Sequence, residues 1–179
     1  PGEALVALVE RGDDAAATQI IAEVIACLHS TAHVDSYAGL LSLDHWFQPL
    51  LAKATFDHGW GLNTIYTRAA AVAARLLAEP IDIRALHGDI HHYNIRQSPR
   101  GWIAFDPKGL YGERTYDCAN ALCNPVMPEL VHNEQRLLRN AGILADALAL
   151  DRQRILAYTY AFACLNSSQW LPLGGAEII

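Results

Sequence analysis

The chain has 179 residues, 52% of them hydrophobic and 18% charged, enough for one sizeable core and far from disordered composition. A formal net charge of -6 and 13 Lys and Arg scattered without a basic run argue against nucleic acid as a partner. No apolar run approaches the ~20 residues that cross a bilayer, and Pro1-Gly2-Glu3 does not begin a basic-then-apolar leader, so neither membrane insertion nor export is expected.

In chain order, Asp13-Asp14 precede Ile20, Ile21, Val24, Ile25 and Leu28 at helical spacing, which predicts a helix over about 14–28. Ser42 can cap a second helix carrying Leu43, Trp46, Phe47 and Leu50, with Pro49 limiting its regularity. A third, rich in alanine and leucine, is expected over about 63–79, after Gly59-Trp60-Gly61 and before Pro80. The pattern then shortens. Residues 82–86, 94–97 and 102–105, the last two separated by Ser98-Pro99-Arg100-Gly101, read as a small β-hairpin flanked by loops. Helices return from Thr115: one through Cys118 to Leu122, one or two between Pro128 and Leu150 interrupted near Gly142, and one after the cap Asp151. The fold class expected is α+β, mainly α, in one domain over 1–179. Cys27, Cys118, Cys123 and Cys164 form no CxxC pair, and three fall in apolar helical patterns, as suits a reducing cytoplasm.

The segment richest in chemistry is His87-Gly88-Asp89-Ile90-His91-His92-Tyr93-Asn94, followed by Asp106 at the end of an apolar strand. An Asp with an Asn five residues later fits a kinase catalytic loop, in which the Asp accepts the proton of an attacking hydroxyl and the Asn holds a metal ion. The following strand delivers Asp106 to the same end of the hairpin, where a carboxylate can chelate Mg²⁺ bridging nucleotide phosphates.

At these residues the sequence resembles the aminoglycoside phosphotransferase family, whose loop reads HGDxxxxN, and within it the streptomycin and hydroxyurea kinase branch. The branch is indicated by Ala104-Phe105-Asp106-Pro107-Lys108-Gly109-Leu110-Tyr111-Gly112-Glu113 and by Tyr116-Asp117-Cys118-Ala119. The resemblance implies a protein-kinase-like C-terminal lobe whose hairpin carries the catalytic and metal-binding loops. It also implies ATP as co-substrate, Mg²⁺ as cofactor and a small hydroxyl-bearing acceptor, with Asp89 as base, Asn94 and Asp106 as metal ligands, and Asp117 bracing the loop through its backbone amides. Pro1-Gly2-Glu3-Ala4-Leu5 is similar to the segment just past the hinge between lobes, so the smaller N-terminal lobe is not in this chain. Residues 1–179 alone are then expected to be inactive.

His87 is expected to pack under the loop, while His91, His92, Lys108 and Glu113 are candidates for substrate or phosphate contact, as against exposed loop residues. Trp46, Trp60 and Trp170 read as core more readily than as cleft-lining residues. A rival reading takes His87, His91 and His92 around Asp89 as the metal cluster of a hydrolase, against which stand the absence of HExxH and the hard oxygen character of Asp89, Asn94 and Asp106. A non-catalytic, pseudokinase-like module is disfavoured because all three of those residues are present.

Overall fold

A computed structural model describes residues 2–30 and 37–168. The chain opens with an extended segment and a short helix, α1 (Val6–Glu10), then the long α2 (Asp14–Ser30). The Ser42 hydroxyl caps α3 (Leu43–Trp46) by accepting from His45 N, and α4 (Gln48–Gly59) starts afresh with Pro49 in its first turn. Proline fits where the amide has no helical partner, so one expected helix is two. Thr64 caps α5 (Ile65–Ala78). Strand β1 (Leu41–Ser42) lies just before α3. Four further strands follow α5: β2 (Ile83–Leu86), β3 (Ile95–Ser98), β4 (Gly101–Ala104) and β5 (Leu110–Glu113). The remaining helices are α6 (Asp117–Leu122), α7 (Pro128–Val131), α8 (Glu134–Leu148) and α9 (Arg152–Ser168). Helix α8 runs through Gly142 without the expected interruption, because its apolar face packs on α2 while Gly142 meets nothing that needs a break.

Among the described residues the strands make two small sheets. β3 and β4 form the expected antiparallel hairpin, Ile95 opposite Ala104 and Ser98 opposite Gly101. The first residues run along its outer edge, Leu5 N donating to the Ile95 carbonyl and Gln97 N to that of Glu3, each at 2.9 Å. β5 pairs antiparallel with β2 and parallel with β1, in the order β1-β5-β2. β5 escapes a reading of local pattern because Leu-Tyr-Gly-Glu shows no alternation of its own. Its partners supply the ladder.

Two apolar clusters make the interior. Leu5, Ile21, Ile25, Ile90, Ile95, Leu144 and Ile155 pack in one, joining α2, α8 and the hairpin. Phe47, Leu50, Leu86, Leu110, Tyr116, Phe162 and Leu165 pack in the other, joining α4, α5 and the three-stranded sheet. Helix α9 feeds both, Ile155 to the first and Tyr158, Phe162 and Leu165 to the second, and so holds the two halves in one body. None of the described helices is long and apolar enough to cross a membrane.

Helices α2 and α8 are also fastened by charge. Arg136 donates through Nε and Nη2 to the buried Asp14 carboxylate at 2.8–3.0 Å, and Asn140 adds a bond at 2.9 Å. Burial alone would raise the Asp14 carboxyl, but the bonds from Arg136 and Asn140 and the charges of Arg136 and Arg139 outweigh it and hold it below its ordinary value. Breaking such a pair strands a buried charge. Arg136→Met is expected to cost about 3 kcal/mol in urea unfolding, and adding Asp14→Leu to recover most of it. Equal destabilisation by the single and double changes would show that the pair does not couple these helices.

Candidate active site

The loop 87–94 connects β2 to a 3₁₀ turn over His92–Asn94 and then to β3. Gly88 sits at φ 77°, and a Cβ there would lie 2.7 Å from Leu110 Cδ1, so only glycine fits this bend. The bend turns the amides of His87 and Gly88 toward Asp117 at the start of α6, whose carboxylate accepts from them at 3.1 and 2.7 Å. Asp117 is 2% exposed, and its Oδ2 also accepts from His29 Nε2 at 2.9 Å. The loop thus hangs from a buried carboxylate that is itself gripped by α2.

His87 clamps the loop to the segment after β4 that bears Asp106. Its Nδ1 accepts from Asp89 N at 3.3 Å, which places the ring proton on Nε2, donating to the Phe105 carbonyl at 3.1 Å. Its own carbonyl accepts from Lys108 N at 2.7 Å. The two clamps flank Asp106 on both sides. Asp106 adopts φ 63°, a left-handed conformation that costs a non-glycine residue on the order of 1 kcal/mol and is tolerated best by Asp and Asn. Across the hairpin mouth Phe105 N donates to the Asn94 carbonyl at 3.1 Å, one step beyond the Ile95–Ala104 pair, so Asn94 lies opposite Phe105, the neighbour of Asp106.

The Asp89 carboxylate is at the centre of this arrangement. Asn120 Nδ2 donates to its Oδ1 at 2.7 Å, Lys108 Nζ lies 3.2 Å from its Oδ2, and Asn94 Nδ2 donates to its backbone carbonyl at 3.1 Å. His91 Nε2 is 3.9 Å from Oδ1, too far for a hydrogen bond. Burial lowers the His91 imidazole from its ordinary value, against the raising effect of Asp89 and Asp106. His91 is a neutral neighbour of the carboxylates at pH 7.

Two substrate-contact candidates go elsewhere. Glu113 is 1% exposed and is spent on structure: Oε1 accepts from Arg154 Nε at 2.6 Å, and Oε2 from Tyr158 and from Ile81 N. His92, also 1% exposed, turns inward, and both its ring nitrogens are buried without a hydrogen-bond partner. The geometry corrects both expectations, since the pleat and the 3₁₀ turn point these side chains away from Asp89. Trp46 is half-buried, its Nε1–H donating to the Tyr116 hydroxyl at 2.7 Å, whereas Trp60 is 72% exposed and not core. Trp170 lies outside the described residues.

Two residues of the site were missed. His29 follows Ile21 and Ile25 at four-residue steps, so a polar ring stands on the apolar face of α2, and Asn120 follows Asp117 by three, which puts both on one face of α6. Those spacings were the available signals.

The donor set can be tested against a metal. Asn94 commits its Nδ2 to Asp89, leaving Oδ1 for a cation, and among the described residues no hydrogen bond or ion pair occupies the exposed Asp106 carboxylate. Hard oxygens of this kind fit Mg²⁺. A zinc centre fits poorly: among the described residues no three His, Cys, Asp or Glu side chains converge on one point, and His87 has both nitrogens engaged.

Compared with known proteins, residues 1–174 match the family model described as aminoglycoside/hydroxyurea antibiotic resistance kinase. The chain belongs to this family. It is 34% identical over 168 residues to a streptomycin 3''-kinase of Klebsiella pneumoniae, covering 91% of this chain and 60% of that protein. It is 33% identical over 163 residues to a hydroxyurea phosphotransferase of Kitasatospora aureofaciens, covering 88% and 45%. A streptomycin 6-kinase of Streptomyces griseus is 34% identical over 104 residues, 56% of this chain and 33% of that one. The chain therefore spans about half the length of the curated relatives it matches, and membership in a kinase family leaves the hydrolase alternative without support.

Beneath the candidate site, the buried His92 supplies a pH test. Burial, and then the charge of Arg136, push its imidazole down to about 4 from 6.5. The unfolded chain takes up this proton first, so the contribution is complete above 6.5 and is lost as pH falls toward 4. Between pH 6.5 and 5 the loss should be on the order of 2 kcal/mol, and His92→Gln should flatten it. Unfolding free energies that fall equally in both proteins over this interval would contradict the burial of a neutral His92.

Proposed function

We propose that the protein carrying this chain is an antibiotic-inactivating phosphotransferase, moving the γ-phosphoryl group of ATP to a hydroxyl of a small acceptor of the aminoglycoside or hydroxyurea type. One observation carries the reading: Asp89, Asn94 and Asp106 stand at one hairpin mouth, tied together through His87 and the Asn94–Phe105 bond. The relatives' names, two streptomycin kinases and a hydroxyurea phosphotransferase, support the choice of acceptor class.

In this reading Asp89 receives the acceptor hydroxyl, orients it in line with the γ-phosphorus and takes its proton as the new bond forms. Asn94 Oδ1 and the Asp106 carboxylate would hold Mg²⁺, which when bound offsets charge on the phosphate oxygens. His87 fixes the distance between the base and the metal-binding strand. Asp117 and His29 act further back, keeping the loop amides from turning into the cleft. The four free cysteines suit action in a reducing cytoplasm.

The test is phosphate transfer by the full-length protein against streptomycin and hydroxyurea, with EDTA and with Mg²⁺ restored. Asp89→Asn should lower turnover on the order of 1,000-fold while nucleotide affinity stays nearly unchanged. Parallel loss of nucleotide binding and turnover would remove Asp89 from the role of base, and turnover that survives chelation would remove the metal.

A further inference from the structure

The two oxygens of Asp89 are held in different ways. Oδ1 is bonded to Asn120, whose own Oδ1 accepts from Asn124 Nδ2 at 2.8 Å, and the Asn124 carbonyl accepts from Arg136 at 2.9 Å. Arg136 is in turn locked on Asp14. An unbroken hydrogen-bonded path thus ties Oδ1 to the α2–α8 interface and fixes the orientation of the carboxylate.

Oδ2 meets an exposed partner. Lys108 Nζ is 3.2 Å away on a side chain that is 45% exposed, and Asn94 Nδ2 reaches the same oxygen only at 3.4 Å. Among the described residues no other hydrogen bond or ion pair is recorded for this ammonium. A pair this exposed is worth less than about 1 kcal/mol and is easily exchanged. The root of the side chain is nevertheless fixed, because Lys108 N donates to the His87 carbonyl at 2.7 Å and its Cβ lies 3.2 Å from the place a Gly88 Cβ would occupy. With a fixed root and an exposed tip two residues past Asp106, this side chain is long enough to exchange Asp89 for the proposed phosphate position.

We infer that Lys108 is a catalytic residue of the transfer proposed above, on which this inference rests. Its ammonium holds on Oδ2 the place that the acceptor hydroxyl takes, and on substrate binding it moves to a non-bridging oxygen of the phosphoryl group in transit. The hydroxyl proton then passes to Asp89 Oδ2 and the oxygen–phosphorus bond forms. The bond from the γ-phosphorus to the bridging oxygen breaks, its electron pair leaving with ADP. Lys108 keeps its proton throughout and stabilises the migrating charge electrostatically. His91 lies on the other side of the carboxylate, 3.9 Å from Oδ1.

The experiment compares the full-length wild type with Lys108→Met and Lys108→Arg at saturating Mg²⁺, ATP and streptomycin or hydroxyurea. Lys108→Met should lower kcat on the order of 100-fold, with the acceptor KM and the unfolding midpoint close to wild type, and Lys108→Arg should restore part of the loss. A Lys108→Met enzyme with kcat within about threefold of an active wild type, or one whose loss follows a fallen unfolding midpoint, overturns the inference. A wild type that transfers phosphate to no acceptor overturns the phosphotransferase reading itself, and the role of Lys108 falls with it.

Discussion

The carboxylate of Asp117 holds the path of the loop 87–94, and the candidate site is built on that loop. A charge with 2% exposure is tolerable only if its lone pairs are satisfied, and here two loop amides and the His29 ring satisfy them. The same bonds that neutralise the cost of burial set the path of residues 87–89. Gly88 is the corresponding demand on sequence, because any side chain there would collide with Leu110 at the start of β5. Helix α6, helix α2 and the loop are consequently positioned by one group, and none can shift without leaving a buried polar atom unpaired.

From that anchor the site is assembled outward. His87 spends both ring nitrogens and its carbonyl on its own loop and on the segment after β4, so the backbone of Asp89 is held to that of Asp106 by backbone bonds and one rigid ring. The left-handed residue at Asp106 is a local cost that the hairpin and the His87 clamps impose. Behind Asp89, Asn120, Asn124 and Arg136 carry the restraint back to Asp14 at the helix interface. Stability and positioning share these bonds.

Much of this was legible in the residues. The stripe of Ile21, Val24 and Ile25, the caps Ser42 and Asp151, and the turn at Ser98–Gly101 marked elements found at those places. The spacing of Asp89, Asn94 and Asp106 pointed to a shared hairpin mouth, and the facing strands put Asn94 opposite the segment that carries Asp106. What sequence could not carry were the long-range pairings. β5 exists because β1 and β2 flank it, and Glu113 looked like a loop acid because Arg154 and Tyr158, more than forty residues later, are its partners. His29 is separated from Asp117 by 88 positions, and only the packing of α2 against α6 brings them together. Adjacent His91 and His92 diverge because a 3₁₀ turn begins between them, a detail of backbone geometry that composition does not encode.

In the proposed reading, Asn94 and Asp106 serve one divalent cation beside Asp89. Titrating Mn²⁺ into the ¹⁵N-labelled protein and following paramagnetic broadening tests it without any need for turnover. The Asn94 side-chain amide and the Asp106 backbone amide should broaden together at the same Mn²⁺ concentration, with His92 less affected, and Asp106→Asn should suppress both effects. Broadening confined to one of the two, or centred on residues away from the hairpin mouth, would contradict the arrangement.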